Sequence, residues 1–317
     1  MLCGTRNSTS YRGETDTLLT TKMKTLKIYF EDMWGYDQFQ FNHHNNYFVS
    51  LLSKKYNVVI DPNPDILFFS VFGLNNRRYN CKKVFVCGEN TGHHFRNPLS
   101  EPCDVSLSQL DEKDKNIYFP LWVLFVNWFH QKQPNKLPSN PTFLCDVNDI
   151  INSGIIKKIK FCAFINNNPI EDRLKIFDLL NEYKKVDSYG GLNNNVGGPI
   201  RGSEQEKINV LRDYKFTIAF ENSYHSGYNT EKIIQPLSVN TVPLYKGGER
   251  VKEFFNMKKI IYANDFNSLE EMANYIIELD KDEQKFSNII NSVGVHNRFF
   301  DFMPTNILAK LCCLLGL

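Results

Sequence analysis

The sequence predicts an α/β chain of two successive domains, each made of short strands alternating with helices and paired in parallel. Three observations lead there. The chain has 317 residues, 42% of them hydrophobic, enough to bury large cores and long for one compact domain. β-prone runs bounded by Pro, Asn or Gly alternate with segments of helical apolar spacing. Between two such series lies "QKQPNKLPSNPTF", where Pro134, Pro138 and Pro141 sit in polar filler and mark a connection.

In chain order, the first 22 residues are rich in Ser and Thr, lack an apolar signal core, and read as a disordered extension, with Met23 as the start of the fold. "LKIYF" is the first strand and "NNYFVSLLSKKY" the first helix. "NVVID", "DILFFSVFG" and "KKVFVCGEN" supply three further strands. "IYFPLWVLFVNWFH" is a buried segment, too short to span a membrane. The second series runs through "KFCAFINN" as strand, "IEDRLKIFDLLNEY" as helix, and "KVDSYGG" as strand and turn. "KFTIAFEN", "NTEKIIQPLSV", "TVPLYKGG" and "SLEEMANYIIELD" follow as strand, helix, strand and helix. The helix from 170 to 183 presents Leu174, Phe177 and Leu180 on one face, with Arg173 in its opening turns. The expected division is 23–140 as first domain, 141–159 as linker, 160–295 as second domain and 296–317 as a helical end packed back on the fold. Ligands of such open sheets bind beyond the carboxyl ends of the strands, so the loops after Phe164, Tyr189 and Phe220 should converge on one cleft.

Charge and cysteine usage narrow the function. A formal charge of +2 leaves no broad basic field, which excludes nucleic acid as the expected partner. Eight cysteines lie scattered, without CxxC or Cys/His spacing, against zinc sites and a disulfide framework. No run is long and apolar enough for a transmembrane segment, so the chain is expected to be soluble.

The chemistry gathers in "FENSYHSGYNTEKI", which follows a strand and opens a helix. Thr230 has the chemistry of a helix N-cap, with Glu231 and Lys232 in the first turn. Taken alone, Glu231 complements the helix dipole and Lys232 is a solvated lysine. Yet a lysine there opposes the dipole, a conflict that a bound phosphate resolves, and the neighbouring carboxylate can accept hydrogen bonds from a sugar diol. Arg173 enters from another strand-end loop with a planar fork suited to phosphate oxygens; alone it is an ordinary surface arginine. In "SYGGLNNNVGG", Gly190 and Gly191 allow close backbone approach to a ligand, and turn flexibility explains them equally well. Together these features describe a nucleotide-sugar site.

The combination of "FENSYHSGYNTEKI" and "TVPLYKGG" resembles the donor-binding signature of the α-1,3-fucosyltransferases of glycosyltransferase family 10, in particular their soluble bacterial and viral branches. "VFVCGENTGHHF", "FPLWVLF", "KFCAFINNN", Arg173 and "VDSYGG" stand upstream in that family's order, and the likeness runs from about Lys24 to the region of Asn264. It implies a GT-B architecture: two Rossmann-like domains facing a central cleft, with donor on the second and acceptor on the first. It implies an inverting enzyme that moves L-fucose from GDP-fucose to a hydroxyl of an oligosaccharide or glycoconjugate, in α-1,3 linkage to N-acetylglucosamine or glucose, in the cytoplasm.

Carried over by position, the resemblance gives Arg173 and Lys232 to the pyrophosphate, Glu231 to the ribose, and Tyr228 and Asn222 to the donor. Glu221 is either a donor-loop residue or a strand-end carboxylate paired with a cation. Glu89 is the candidate base; some relatives carry a second carboxylate two residues later, where this chain has Thr91. Inverting transfer needs a carboxylate within reach of the attacking hydroxyl, and Lys232 with Arg173 can hold the leaving diphosphate in place of a metal. With no DxD motif in the donor region, no obligatory metal or other cofactor is expected, and divalent ions could stimulate product release. Trp34, His93 and His94 are candidates for the acceptor side; the alternative for Trp34 is burial in the first core. Transfer of another nucleotide sugar, or glycan binding without turnover on the same fold, are the competing readings.

Overall fold

The computed structural model describes residues 23–35, 41–90, 102–130, 144–152, 157–200 and 204–317. Strand β1 (Thr25–Glu31) alternates exposed and buried positions, burying Leu26, Ile28 and Phe30. Helix α1 (Tyr47–Leu52) is capped by Asn46, whose side chain accepts from the backbone N–H groups of Phe48 and Val49. There follow β2 (Asn57–Ile60), β3 (Ile66–Phe69), β4 (Lys82–Cys87), β5 (Val105–Ser108) and β6 (Asn116–Tyr118). They form a six-stranded parallel sheet in the order β2-β1-β3-β4-β5-β6. β3 and β5 are buried at every position, as expected of strands covered on both faces. The sequence reading did not identify β5 and β6. "VSLS" lacks an apolar run because the hydroxyls of Ser106 and Ser108 both donate to Asn116 Oδ1, at 2.7 and 2.8 Å, a pairing made across the sheet.

A 3-10 turn (Leu121–Phe125) leads into β7 (Val126–Asn127), which pairs with β8 (Cys145–Asp146); α2 (Val147–Asn152) comes next. Residues 145–152, inside the expected linker, thus form a short strand and a helix. The second sheet comprises β9 (Lys160–Phe164), β10 (Val186–Ser188), β11 (Tyr214–Phe220), β12 (Val242–Lys246) and β13 (Ile261–Tyr262). All pairings are parallel, in the order β10-β9-β11-β12-β13. Its helices are α3 (Glu171–Tyr183), α4 (Glu204–Leu211), α5 (Glu231–Leu237), α6 (Val251–Phe254), α7 (Leu269–Lys281) and α8 (Glu283–Ile290). The buried face of α3 is Arg173, Ile176, Phe177 and Leu180; Leu174, expected there, is only half-buried because Arg173 turns inward beside it.

The lobes meet through aromatic packing. Trp122 is fully buried, stacks on Phe299 at 5.2 Å and 8°, and touches Phe254, Phe255 and Phe302. Ile233, Ile234 and Leu237 of α5 belong to the same core as the first sheet, so the helix that begins with Glu231 and Lys232 is held against the first lobe. The chain ends in α9 (Pro304–Leu315), with Pro304 in its first turn and Gly316 in the left-handed region at its end. This helix returns to the first lobe, where Lys310 pairs with Glu112 at 2.6 Å. Among the described residues no helix is long and apolar enough to cross a membrane, and the described cysteines are free.

Candidate functional site

The carboxyl end of β11 delivers Glu221 into the interior. Its side chain is fully buried and receives the Thr230 backbone N–H at 2.7 Å, the Thr230 hydroxyl, and the Tyr245 hydroxyl at 3.0 Å. Thr230 caps α5 as its sequence chemistry predicts, accepting from the Lys232 N–H. Lys232 Nζ then lies 3.0 Å from Glu231 Oε1, 3.3 Å from Glu221 Oε2 and 3.1 Å from Thr230 Oγ1. One ammonium therefore bridges two carboxylates.

The electrostatics follow from that arrangement. Burial, reinforced by Glu231, pushes the Glu221 carboxyl up, against the pull of Lys232 and the Thr230 hydrogen bonds. For Glu231 burial also acts upward, but Lys232 and Lys207 outweigh it and bring its pKa to about 2. Burial opposes the Lys232 charge, and the two carboxylates more than compensate, raising its pKa. The Tyr228 hydroxyl is held up first by burial and then by Glu221, with Lys232, Glu231 and Glu89 also acting on it.

Arg173 is buried on the same strand end. Its Nε donates to the Phe220 carbonyl at 3.0 Å, as does one Nη, which also reaches Asn222 Oδ1 at 2.8 Å; the other Nη donates to the Asn168 carbonyl at 3.2 Å. The guanidinium thus staples the loops after β9 and β11 together, while still lining a cavity of about 230 Å³ with Asn167, Lys207, Asn222, Glu231 and Lys232. Gly190 and Gly191 stand behind this wall. A Cβ at Gly190 would lie 2.0 Å from the Asn166 carbonyl oxygen and 2.5 Å from its nitrogen, and the Gly191 N–H donates to Asn167 Oδ1 at 2.6 Å. The close approach explains the glycine and seats the loop after β9.

Glu89 comes from the other lobe, just beyond β4, half-buried. Burial first and Glu231 second raise its pKa, while Lys232 lowers it, so the carboxyl lies within electrostatic range of the Glu231–Lys232 pair. Trp34 lies apart, at the carboxyl end of β1, half-buried and edge-on to Phe41 at 5.2 Å. It lines a cavity of about 480 Å³ with Tyr29, Glu31, Asp32, Phe41 and His43. Thr91, His93 and His94 lie outside the described residues. Composition suggests a mobile segment before α5, but residues 227–230 are buried, and only 222–226 are exposed or partly so. Sequence reasoning missed Lys207 and Gln109. The Glu204–Lys207 pair at i,i+3 on an amphipathic stretch with Ile208 and Leu211 was the available signal for Lys207; Gln109 had none. No group of three or more His, Cys, Asp or Glu side chains with metal-ligand convergence occurs among the described residues.

Residues 156–291 match the family model for the carboxyl-terminal part of glycosyltransferase family 10 (fucosyltransferase), and residues 28–125 match that for the alpha-(1,3)-fucosyltransferase FucT N-terminal domain. The alpha-(1,3)-fucosyltransferase FucT of Helicobacter pylori is 29% identical over 284 residues, covering 79% of this chain and 56% of that protein. GDP-fucose protein O-fucosyltransferase 3 of Xenopus tropicalis is 32% identical over 143 residues, 42% of this chain and 30% of that protein. The chain thus spans about half, or less, of the length of these relatives. A crystal structure of an alpha1,3-fucosyltransferase with GDP-fucose superposes with a TM-score of 0.68 at 22% identity, covering 96% of this chain and 94% of that one. The two parallel sheets across a cleft are the GT-B fold.

Proposed function

The chain belongs to glycosyltransferase family 10, and from that membership we propose that it transfers L-fucose from GDP-fucose to a glycan hydroxyl, with inversion at the anomeric carbon. The observation that carries this reading is the cavity where Arg173, Lys207 and Lys232 surround a diphosphate-sized space, with Glu231 on its wall and Glu89 electrostatically within range from the opposite lobe. At about 230 Å³ it is smaller than the roughly 300–1,000 Å³ usual for a whole ligand, so it takes the pyrophosphate and ribose while the fucose extends toward Glu89.

In this reading Glu231 accepts from the ribose diol, and Lys232 and Arg173 meet the phosphate oxygens. Asn222, held by Arg173, shapes the loop beside the donor, and Tyr228 packs against it. The loop at Gly190 and Gly191 supports the wall rather than touching phosphate, and Glu221 orients Lys232. Glu89 takes the proton of the acceptor hydroxyl as its oxygen attacks the anomeric carbon from the face opposite the phosphate. The bond to GDP breaks, and the charge that develops on the leaving diphosphate is met by the two fixed cations, without an obligatory metal.

Trp34 supports an acceptor role for the cavity beside β1. That strand stands two places from β4 in the sheet, about 10 Å at ordinary strand spacing, which is within the reach of a disaccharide from Glu89. The acceptor class we favour is N-acetylglucosamine or glucose within an oligosaccharide; the likeness to a protein O-fucosyltransferase makes a polypeptide hydroxyl the second reading. A panel of nucleotide sugars against glycan and peptide acceptors tests both. Transfer from GDP-fucose with product of inverted configuration is expected. Turnover with a different nucleotide sugar only, or GDP-fucose binding without turnover on any acceptor, would replace the proposal.

A further inference from the structure

Gln109 stands where the two halves of the site meet. β4 and β5 pair in parallel with Cys87 opposite Ser108, so the residues leaving those strands, Glu89 and Gln109, emerge side by side at the cleft. Gln109 is 2% exposed, and its Nε2 donates to the main-chain carbonyl of Glu89 at 2.5 Å, an oxygen that also accepts from Cys87 Sγ. Its Oε1 is buried without a hydrogen-bond partner among the described residues. An orphaned buried acceptor is destabilising, and Leu or Met would fill the same space without that cost. The amide is therefore explained by what its donor holds.

On its other side Gln109 meets the second lobe. A Cβ on Gly227 would lie 2.0 Å from the Gln109 carbonyl oxygen and 2.9 Å from the Tyr118 ring. The Tyr118 hydroxyl donates to the Gly227 carbonyl at 3.2 Å. Gly227 directly precedes Tyr228, a buried side chain whose hydroxyl feels the charges of Glu221, Lys232, Glu231 and Glu89. A contact without room for a methyl group thus fixes the distance between the backbone that carries Glu89 and the loop that leads into α5.

We propose that Gln109 is a positioning residue for the transfer reaction: its side chain fixes the Glu89 backbone and its main chain seats Gly227, setting base and donor in one register across the cleft. The inference rests on the reading of Glu89 as the base. Its consequence is geometric, because a base must stand about 2.6–3.2 Å from the oxygen whose proton it takes, and a misplacement of about 1 Å can cost 10²-fold in rate.

The test compares Gln109→Ala, Gly227→Ala, Glu89→Gln and the double variant Gln109→Ala/Glu89→Gln in the full chain, with GDP-fucose and the best acceptor of the panel. For Gln109→Ala a fall of about 10- to 100-fold in kcat is expected, with KM for GDP-fucose and the calorimetric Kd for GDP within about twofold of the parent. Looser packing admits water to Glu89, so the acid limb of its kcat/KM profile should move to lower pH. Gly227→Ala should lower kcat in the same range, and Gln109→Ala should add nothing to Glu89→Gln. Parent-like kcat in Gln109→Ala while Glu89→Gln is inactive would overturn the inference and leave the base assignment standing. So would a loss matched by equal losses in GDP affinity and melting temperature with the acid limb unmoved. Near-normal turnover by Glu89→Gln would overturn both.

Discussion

Replacing Lys232 by alanine should separate two roles that one ammonium fills. Its Nζ stands 3.3 Å from Glu221 and 3.0 Å from Glu231, and the Glu221 side chain is completely buried. Removing the cation leaves two carboxylates facing each other, a broken buried pair that destabilises by about 3–5 kcal/mol. The same change deletes a charge-assisted phosphate contact worth about 1.5–3 kcal/mol, or about 10- to 150-fold in GDP affinity. The two losses respond differently to a second substitution. Glu221→Gln in the Lys232→Ala background removes the uncompensated charge and should restore most of the melting temperature while leaving GDP binding weak. They also differ in pH dependence. Without Lys232 the carboxyl of Glu221, already pushed up by burial, rises further. A group with a raised folded-state pKa loses stability as pH rises through that value, so the deficit of Lys232→Ala should shrink on going from pH 7.5 to pH 5. Thermal melts at both pH values and calorimetry with GDP at pH 7.5 decide the matter. Unchanged GDP affinity in folded Lys232→Ala would remove this residue from the phosphate site, and a double variant no more stable than the single one would refute the buried-charge reasoning.

Four further outcomes are expected. Glu89→Gln should lose about 100-fold or more in turnover with GDP affinity intact, measured by initial rates and calorimetry; the parent's acid limb should lie above the ordinary carboxylate value, because burial and Glu231 raise the pKa of Glu89. In the parent protein Glu231 titrates well below 4.5, so its contribution to stability is full above that pH and fades as pH falls toward 2; melts of parent and Glu231→Gln should converge at the acid end. Gly190→Ala drives a methyl into the Asn166 backbone and should destabilise by about 1–3 kcal/mol while weakening GDP binding, which thermal melts with and without GDP will show. Saturating GDP-fucose should slow amide exchange across residues 222–233 more than in α9, and equal exchange in both states, in protein shown to bind the donor, would make this segment a rigid turn that never meets the nucleotide.

The elements that run on local chemistry were legible in the sequence. β1, β3, β4, β9, β11 and β12 carry β-branched or aromatic runs bounded by Gly, Asn or Asp, and α5 announces itself through the Thr230 cap. Both signals act within a few residues, so a single chain displays them. The grouping of Arg173, Glu221, Glu231 and Lys232 was legible for a related reason: strand-end loops of parallel sheets share one edge, so their polar residues converge once the strands are identified. What each side chain touches was decided by tertiary structure. That Arg173 turns inward to hold the Phe220 carbonyl rather than standing free toward solvent depends on a partner 47 positions away. β5 was hidden because the acceptor that makes its serines burial-compatible, Asn116, lies on the next strand. Gln109 carried no local mark at all; its place follows from the β4–β5 register on one side and from docking of the second lobe's Gly227 on the other. Hydrogen bonds and close packing act over about 3–4 Å in space and take no account of sequence separation, so only the folded chain could bring these groups together.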